Sequence, residues 1–509
     1  MRRAAYLLLA AIVIAVPTVV ASIVLWHFNQ ATVFDTLPVQ SDEMFYWHEA
    51  ATFATVGFDS GYYAASDALP RVGRFYAWGA VAPVMYGVFA AVFGWPLWAI
   101  TVLNLAFLAL ATAALIWLAR LNFEQLLWLG ALLTTFHPLL IYSPTQYLEV
   151  LNFAFALLLA GLFVRLIRAY QDDQPSHRAL WLAAGGVILF AALIRFTWAF
   201  LYVPLLILVV RPTTLRAWIT MLAQSAVLMA IPTGVFALTS ARTVVSRLER
   251  NPTLERAFRI VGNRIAYNLR VFMDGDPLEL DVRVGSAVIV AVLTAGIAVF
   301  LIWKLRGRTV PTLIRRGAAE GIVAWSVLGG LLAFIVVIYD IHGLRGYRML
   351  SSVLLMLIVL AVALRRRWLL APLLVYQIIV FPYALYFYDN FTNFQTSPEK
   401  LARYEEYKPQ LAEVLTYDPD APSPWCNTVM YDLYYLLGET SVFIAAPYGF
   451  GLSITEIVPE GEMPVAPKSK YIALRDGNYE AYRPALNLEP LLPLPDGMLY
   501  LNLDAPCTP

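Results

Sequence analysis

The sequence predicts an all-α polytopic membrane protein, with about eleven transmembrane helices and a C-terminal soluble α/β domain on the outer face. Three observations carry that class. Of the 509 residues, 60% are hydrophobic and only 14% are charged, and the mean hydropathy is +0.65. Several apolar runs reach the ~20 residues that cross a bilayer. From about Tyr388 onward, Pro, Asp, Glu and Tyr increase and no further apolar run appears. The net charge of +1 gives no sign of a nucleic-acid partner.

The first run, from about Ala4 to Trp26, is longer than the ~7–15 apolar residues of a cleaved signal peptide. It reads as a retained signal-anchor, with Arg2 and Arg3 holding the N-terminus inside. A polar outer loop follows over 28–75 and contains Asp42, Glu43 and Arg74. Residues 76–94 are apolar but interrupted by Pro83, Gly87 and Gly94, which suits a re-entrant or surface helix. Spans are then expected at 96–119, 125–142 and 150–168. Two short spans, 179–194 and 198–210, keep Arg195 between them and out of the mid-bilayer, where a charge is costly. Further spans are expected at 217–239, 284–303, 320–339, 349–364 and 368–386. The basic runs at Arg306–Arg316 and Arg365–Arg367 fall on the inner side of this scheme. The segment 241–283 becomes an outer loop; its stretch 244–272 suits a basic amphipathic helix lying on the membrane.

The division is therefore 1–388 for the membrane domain and 389–509 for an extracytoplasmic domain. In the latter, Ser441–Ala446, Tyr471–Leu474 and Met498–Leu503 read as strands between Gly and Pro signals. Both cysteines of the chain, Cys426 and Cys507, lie in this domain. On the outer side a Cys426–Cys507 disulfide is expected, the alternative being two buried thiols. The aromatics Trp425, Tyr431, Tyr434, Tyr435 and Tyr448 suit a glycan or protein surface, or equally the domain's core.

The polar residues of interest collect near one face. Ser41-Asp42-Glu43-Met44-Phe45-Tyr46 puts two carboxylates at the membrane surface, a candidate site in itself. Ser-Asp-Glu also suits a helix N-terminus, and the two readings are compatible. Glu149 follows Tyr142-Ser143-Pro144 at the outer end of a span. Arg74, Arg195, Arg264, Arg270, Arg345 and Arg348 lie on later outer segments. Arginines hold phosphate through bidentate hydrogen bonds, and a carboxylate takes a proton from an attacking hydroxyl.

Together these motifs resemble the GT-C superfamily of integral membrane glycosyltransferases. The likeness is to the branch of the protein O-mannosyltransferases and the aminoarabinose lipid A transferase. Ser41–Tyr46 matches the family's early acidic pair followed by an aromatic, and Tyr142–Glu149 before the Leu-rich Val150–Ala160 resembles its second acid. Arg195-Phe196-Thr197 resembles an Arg-Pro-Thr element without its proline. Leu344–Leu350 resembles a basic Arg-Tyr element, with Ser351 and Ser352 where proline usually follows.

The resemblance covers roughly residues 5–365. It implies a polyprenyl-phosphate monosaccharide donor and a glycan, lipid or protein acceptor. Transfer would invert the anomeric centre. Asp42 would be the general base, Glu43 would orient it or the acceptor, and Glu149 would support the base or position the acceptor. Arg345 and Arg348, joined by Arg264, Arg270, Arg74 or Arg195, would bind the donor phosphate. No cofactor is expected, although Asp42 and Glu43 could hold a divalent ion. A bacterial plasma membrane is the expected location.

A transporter or flippase for a lipid-linked glycan, and a ligase or polymerase using a diphosphate-linked donor, are the alternatives. A transporter should repeat its halves and place polar residues deep within spans. Here the charges gather at one face and no internal repeat is evident.

Overall fold

The computed structural model describes residues 2–39, 42–59, 64–65, 73–75, 79–172, 178–240, 318–327, 343–392, 396–432, 440–454, 468–476 and 486–507, together with 62, 259, 263 and 479. Side chains at 343–347 lie outside that set. So do the expected span at 284–303, most of the one at 320–339, and all of the amphipathic stretch 244–272 but 259 and 263.

The helices follow the apolar runs. Helix α1 (Arg2–Asn29) is apolar almost throughout and keeps Pro17 inside it. The acidic pair opens α2 (Asp42–Val56), whose residues from Glu43 to Thr52 are all buried. Next come α3 (Val81–Phe93) and α4 (Ala99–Ala119). The run expected as one span at 125–142 is two helices, α5 (Phe123–Thr135) and α6 (His137–Tyr142). The break has a local cause: Phe136 is extended (φ −71, ψ 92), and Pro138, which has no N–H to give, opens the second helix.

Helix α7 (Glu149–Gln171) is followed by α8 (Arg178–Ile194), a 3-10 turn (Phe196–Leu201), α9 (Tyr202–Val210) and α10 (Leu215–Thr239). The expected interruption falls at Arg195, which is extended (φ −140, ψ 104). Later come α11 (Ala318–Trp325), α12 (Gly343–Ala363), α13 (Arg367–Thr392), α14 (Pro398–Val414) and α15 (Thr440–Ile444).

Among the described residues, four helices are long and apolar enough to cross a bilayer: Arg3–Asn29, Ala99–Ala119, Glu149–Gln171 and Leu215–Thr239. Shorter apolar helices accompany them at Val81–Phe93, Arg178–Ile194, Phe196–Val210, Arg348–Ala363 and Arg367–Pro382. The chain is an integral membrane protein by these helices; the expected count of eleven spans goes beyond what they establish.

Helix α7 is the bundle's centre. It packs on α4, α8 and α12, and nearly all its residues are buried. It approaches α4 tightly at Gly161, where a Cβ would come within 3.2 Å of Leu115 Cα and Leu118 Cβ. A small residue there lets two membrane helices meet backbone to backbone.

One end of the bundle is rich in arginine. Arg120, Arg211 and Arg365 take left-handed backbone (φ 46, 51 and 58) as the helices before them close. Arg168 donates to Ala119 O at 2.6 Å and to Ala363 O at 3.2 Å. Arg367 pairs with Glu124 at 2.5 Å, and Arg366 pairs with Glu320. Cations at helix C-termini satisfy orphan carbonyls and the negative end of the dipole.

The C-terminal part builds a six-stranded sheet in the order β1-β3-β2-β4-β6-β5. Its strands are β1 (Ala64–Ala65), β2 (Thr428–Tyr431), β3 (Gly451–Ile454), β4 (Tyr471–Arg475), β5 (Leu488–Leu494) and β6 (Gly497–Asn502). The first four in that order pair in parallel, and β6 and β5 add an antiparallel hairpin. Of the three expected strands, Tyr471–Leu474 and Met498–Leu503 fall on β4 and β6. The third, Ser441–Ala446, is instead the helical turn α15. It is buried on every side, and a short apolar run buried all round has no period by which to tell strand from helix. A disulfide joins Cys426 to Cys507.

The boundary at 388 marks no gap in packing. Strand β1 comes from the loop after α2, yet it pairs with Ser453 and Ile454 of β3. One apolar core runs from α1 through α7 and α12 into the sheet. Helix α2 lies between the two parts. Phe45 meets Phe443 edge-on at 5.0 Å, and His48 Nε2 lies 3.2 Å from Ala446 O.

Candidate active site

The bundle end opposite the arginine-rich one gathers the N-termini of α2 and α7 and the first turns of α12. Asp42 and Glu149 sit in the first turns of their helices, where the dipole favours a negative charge. The interruption between α8 and the 3-10 turn brings Arg195 to the same place.

These four residues form one chain of ion pairs. Arg348 donates from Nη2 to Asp42 Oδ2 at 2.8 Å and from Nε to Glu149 Oε1 at 2.6 Å. Arg195 Nη2 donates to the same Glu149 Oε1 at 2.5 Å. Two carboxylates thus meet two guanidinium groups, and the set is neutral. Arg348 lies over the Tyr147 ring at 4.4 Å, which adds a cation–π contact.

Exposure separates the members. The Glu149 side chain is fully buried, Arg195 is 10% exposed, Arg348 16% and Asp42 32%. Two polar atoms, Glu149 Oε2 and Arg195 Nη1, are buried without a hydrogen-bond partner among the described residues. Tyr46 is buried beside the cluster. Burial, and then the Asp42 carboxylate, push its phenol well above the ordinary value, so it stays neutral.

Glu43 has a different setting. Fully buried, it accepts from the Gln146 backbone N–H at 2.8 Å and fixes the turn that leads into α7. Asp42 and Glu43, expected to be able to share a divalent ion, thus bond to different partners. Among the described residues no group of three or more His, Cys, Asp or Glu side chains is placed to hold a metal ion.

Of the other arginines, Arg74 is half-buried just before Phe75, whose backbone bridges to Ser240. No ion pair joins Arg74 to the acid cluster among the described residues. Arg345 lies on α12, one turn before Arg348, with its side chain outside the described set; Arg264 and Arg270 lie outside it altogether.

Sequence reasoning missed the residues that hold the cluster in place. Gln146 and Tyr147 support it from the turn before α7. One turn into α7, Asn152 Oδ1 accepts from Trp198 Nε1 at 2.7 Å. The i, i+3 spacing of Glu149 with Asn152, and of Arg195 with Trp198, was the available signal.

No family model matches the chain, and no curated protein matches it. Two solved structures of ArnT from Cupriavidus metallidurans are similar to it. The apo structure has a TM-score of 0.48 and 15% identity, over 99% of this chain and 98% of that one. The structure bound to undecaprenyl phosphate has a TM-score of 0.46 and 15% identity, over 98% of each chain. ArnT is the aminoarabinose lipid A transferase, a GT-C membrane glycosyltransferase. At these scores the likeness concerns overall layout and says nothing about the site.

What the cluster can do follows from its own chemistry. Its exposed member is a carboxylate that a hydroxyl can reach. Its far end is a guanidinium with a spare donor, suited to an anion. Between them the charges are already balanced.

Proposed function

We propose that the chain is a glycosyltransferase that moves a monosaccharide from a polyprenyl-phosphate donor to a hydroxyl acceptor at the outer membrane face. The observation that carries this reading is the chain of ion pairs Asp42–Arg348–Glu149–Arg195, with a partly exposed carboxylate at one end, a fully buried one inside it, and at the other end an arginine whose Nη1 has no partner among the described residues.

Asp42 is the base. It takes the proton from the acceptor hydroxyl while that oxygen attacks the anomeric carbon. The bond from that carbon to the phosphate oxygen breaks, and the lipid phosphate leaves with the electron pair. Attack from the face opposite the leaving group inverts the anomeric centre.

That Arg195 Nη1 has no partner among the described residues supports a role for it in donating to the departing phosphate, where charge develops, once the donor fills the site. Glu149 is too deeply buried to touch the acceptor; its role is to hold Arg348 and Arg195 in position. Because the cluster is neutral, the donor phosphate needs further positive charge. Arg345, three residues before Arg348 and on the same helix face, is the first choice; Arg264 and Arg270 follow. Glu43 shapes the turn before α7.

The arginine-rich end supports a cytoplasmic placement for that side by the positive-inside rule. The Cys426–Cys507 disulfide supports the opposite side as the outer one, in a bacterial plasma membrane.

The test is sugar transfer by the purified protein in lipid, offered a panel of polyprenyl-phosphate monosaccharides, with Asp42→Asn beside wild type. Wild type should consume one donor. Asp42→Asn should still bind it and transfer about 10²–10⁴-fold more slowly. Equal rates would remove Asp42 from the chemistry; a panel neither bound nor consumed would end the transferase reading.

A further inference from the structure

We infer that the cleft between the 34–37 segment, the 95–98 segment and α14 is the acceptor subsite, and that it takes a neutral saccharide. This rests on the transferase reading above for the word acceptor, but not for the saccharide.

The cleft has a volume of about 340 Å³, at the small end of the ~300–1,000 Å³ range of ligand sites. Four aromatics line it: Phe34, Trp95, Trp98 and Tyr404. Its charged residues are Asp35, Glu405 and Lys408. Phe34 is 56% exposed and meets Trp98 edge-on at 5.1 Å. Aromatic faces next to carboxylates suit a sugar ring. The ring's C–H face packs on the aromatic, and adjacent hydroxyls donate to a carboxylate. Two carboxylates against one lysine disfavour an acidic sugar.

The cleft is built rigidly onto the helix that carries the acids. Trp47 Nε1 of α2 donates to Pro96 O at 3.1 Å, and Trp95 Nε1 donates back to Trp47 O at 3.0 Å. Trp47 is fully buried and stacks on Trp95 at 6.5 Å, while Tyr404 packs edge-on against Trp47 at 6.5 Å. Gln146, whose backbone N–H bonds to Glu43, also donates from its side chain to Leu97 O. The cleft wall, the turn before α7 and the start of α2 are therefore one connected unit. A saccharide held there would have a fixed position relative to Asp42. An aromatic belt at a membrane interface accounts for the tryptophans alone; Asp35 Oδ2 caps its own turn by accepting from Thr32 N and Oγ1, which leaves its other oxygen and Glu405 for a ligand.

The experiment is ligand-observed NMR and calorimetry on the full-length protein in lipid nanodiscs. The probes are methyl glucoside, methyl mannoside, methyl N-acetylglucosaminide and methyl glucuronide. At least one neutral glycoside should bind. Phe34→Ala or Glu405→Gln should weaken it tenfold or more with no change in melting temperature, and the glucuronide should not bind. No binding of any neutral glycoside, unchanged affinity in both variants, or equal binding of the glucuronide would overturn the inference. No donor is needed, so the result is independent of whether transfer is observed: a bound glycoside with no turnover would fault the transferase reading and leave the saccharide site standing.

Discussion

Trp198 donates its indole N–H to the Asn152 side-chain oxygen at 2.7 Å, one turn along from the pair Arg195–Glu149. Both residues are fully buried. The neutral bond and the ionic one together fasten the interruption after α8 to the start of α7. Asn152 also donates to Leu148 O at 2.6 Å, so its orientation is fixed from its own helix. The bond therefore aims the 3-10 turn, and with it Arg195.

Removing either partner should be costly on its own. Asn152→Leu leaves a buried indole N–H unpaired, and Trp198→Phe leaves the Asn152 oxygen without that donor; each should cost about 1–3 kcal/mol. The double variant should cost less than the sum, with coupling of about 0.5–3 kcal/mol. Thermal melts of the four proteins in one detergent measure it. Additive losses would show that the two side chains merely fill space.

Arg348 should be the least replaceable residue of the cluster. It spans Asp42 and Glu149 with two different nitrogens, across 306 and 199 residues of sequence. Arg348→Met leaves Glu149 with Arg195 alone and Asp42 with no ion-pair partner, and the lost charged hydrogen bonds should cost about 1–3 kcal/mol. Arg348→Lys should recover little, since an ammonium on a flexible stem does not reproduce the planar fork. Arg348→Met combined with Asp42→Asn should recover part of the lost stability, because the carboxylate left without a partner goes as well. Melting temperatures of the three variants decide it; a fully stable Arg348→Met would mean that the ion pairs contribute nothing to the fold.

Local signals showed some of this architecture in the sequence. The interruption at Arg195 was legible because a charge cannot be left mid-span at low cost. The acidic pair at the start of α2 was legible because Ser-Asp-Glu favours a helix N-terminus. The burial of α2 was not, since the covering residues Phe443 and Ala446 lie some four hundred positions away, as the 398-residue separation of His48 and Ala446 shows. Strands β2 and β3 were missed because short parallel strands buried on both faces do not alternate. The two residues of β1 carry no strand signal at all, and β3 supplies the edge that orders them. At the site, residue types were readable and partners were not. Nothing near Arg348 specifies that it joins Asp42 to Glu149.

The Cys426–Cys507 bond should tie the end of β6 to the start of β2. It closes a loop of 81 residues containing β2 through β6. Loop-closure entropy for that length gives about 4–5 kcal/mol of stabilisation for the sheet. Dithiothreitol, or the variant Cys426→Ser with Cys507→Ser, should speed protease cleavage within residues 428–507 before the helices are cut. Unchanged cleavage would show that packing on α2 and α14 already holds the sheet without the bond.

His48 should make the contact between α2 and the sheet domain sensitive to acid. Burial lowers its pKa from 6.5 to about 4, only partly opposed by hydrogen bonding to the Ala446 and Pro447 carbonyls. The imidazole is therefore neutral in the fold and protonates more readily in the unfolded chain. Between pH 6.5 and 4 the unfolded state binds the extra proton, so stability rises with pH across that window and falls as acid is added. Over the whole window the loss amounts to roughly 3 kcal/mol, all of it absent above pH 7. Melting temperatures of wild type and His48→Gln, followed from pH 7.5 to about pH 4.5, isolate the effect, because glutamine keeps a hydrogen-bonding side chain and does not titrate. Wild type should lose more stability than the variant as the pH falls. Parallel profiles would place the acid sensitivity elsewhere and leave His48 as a packing residue.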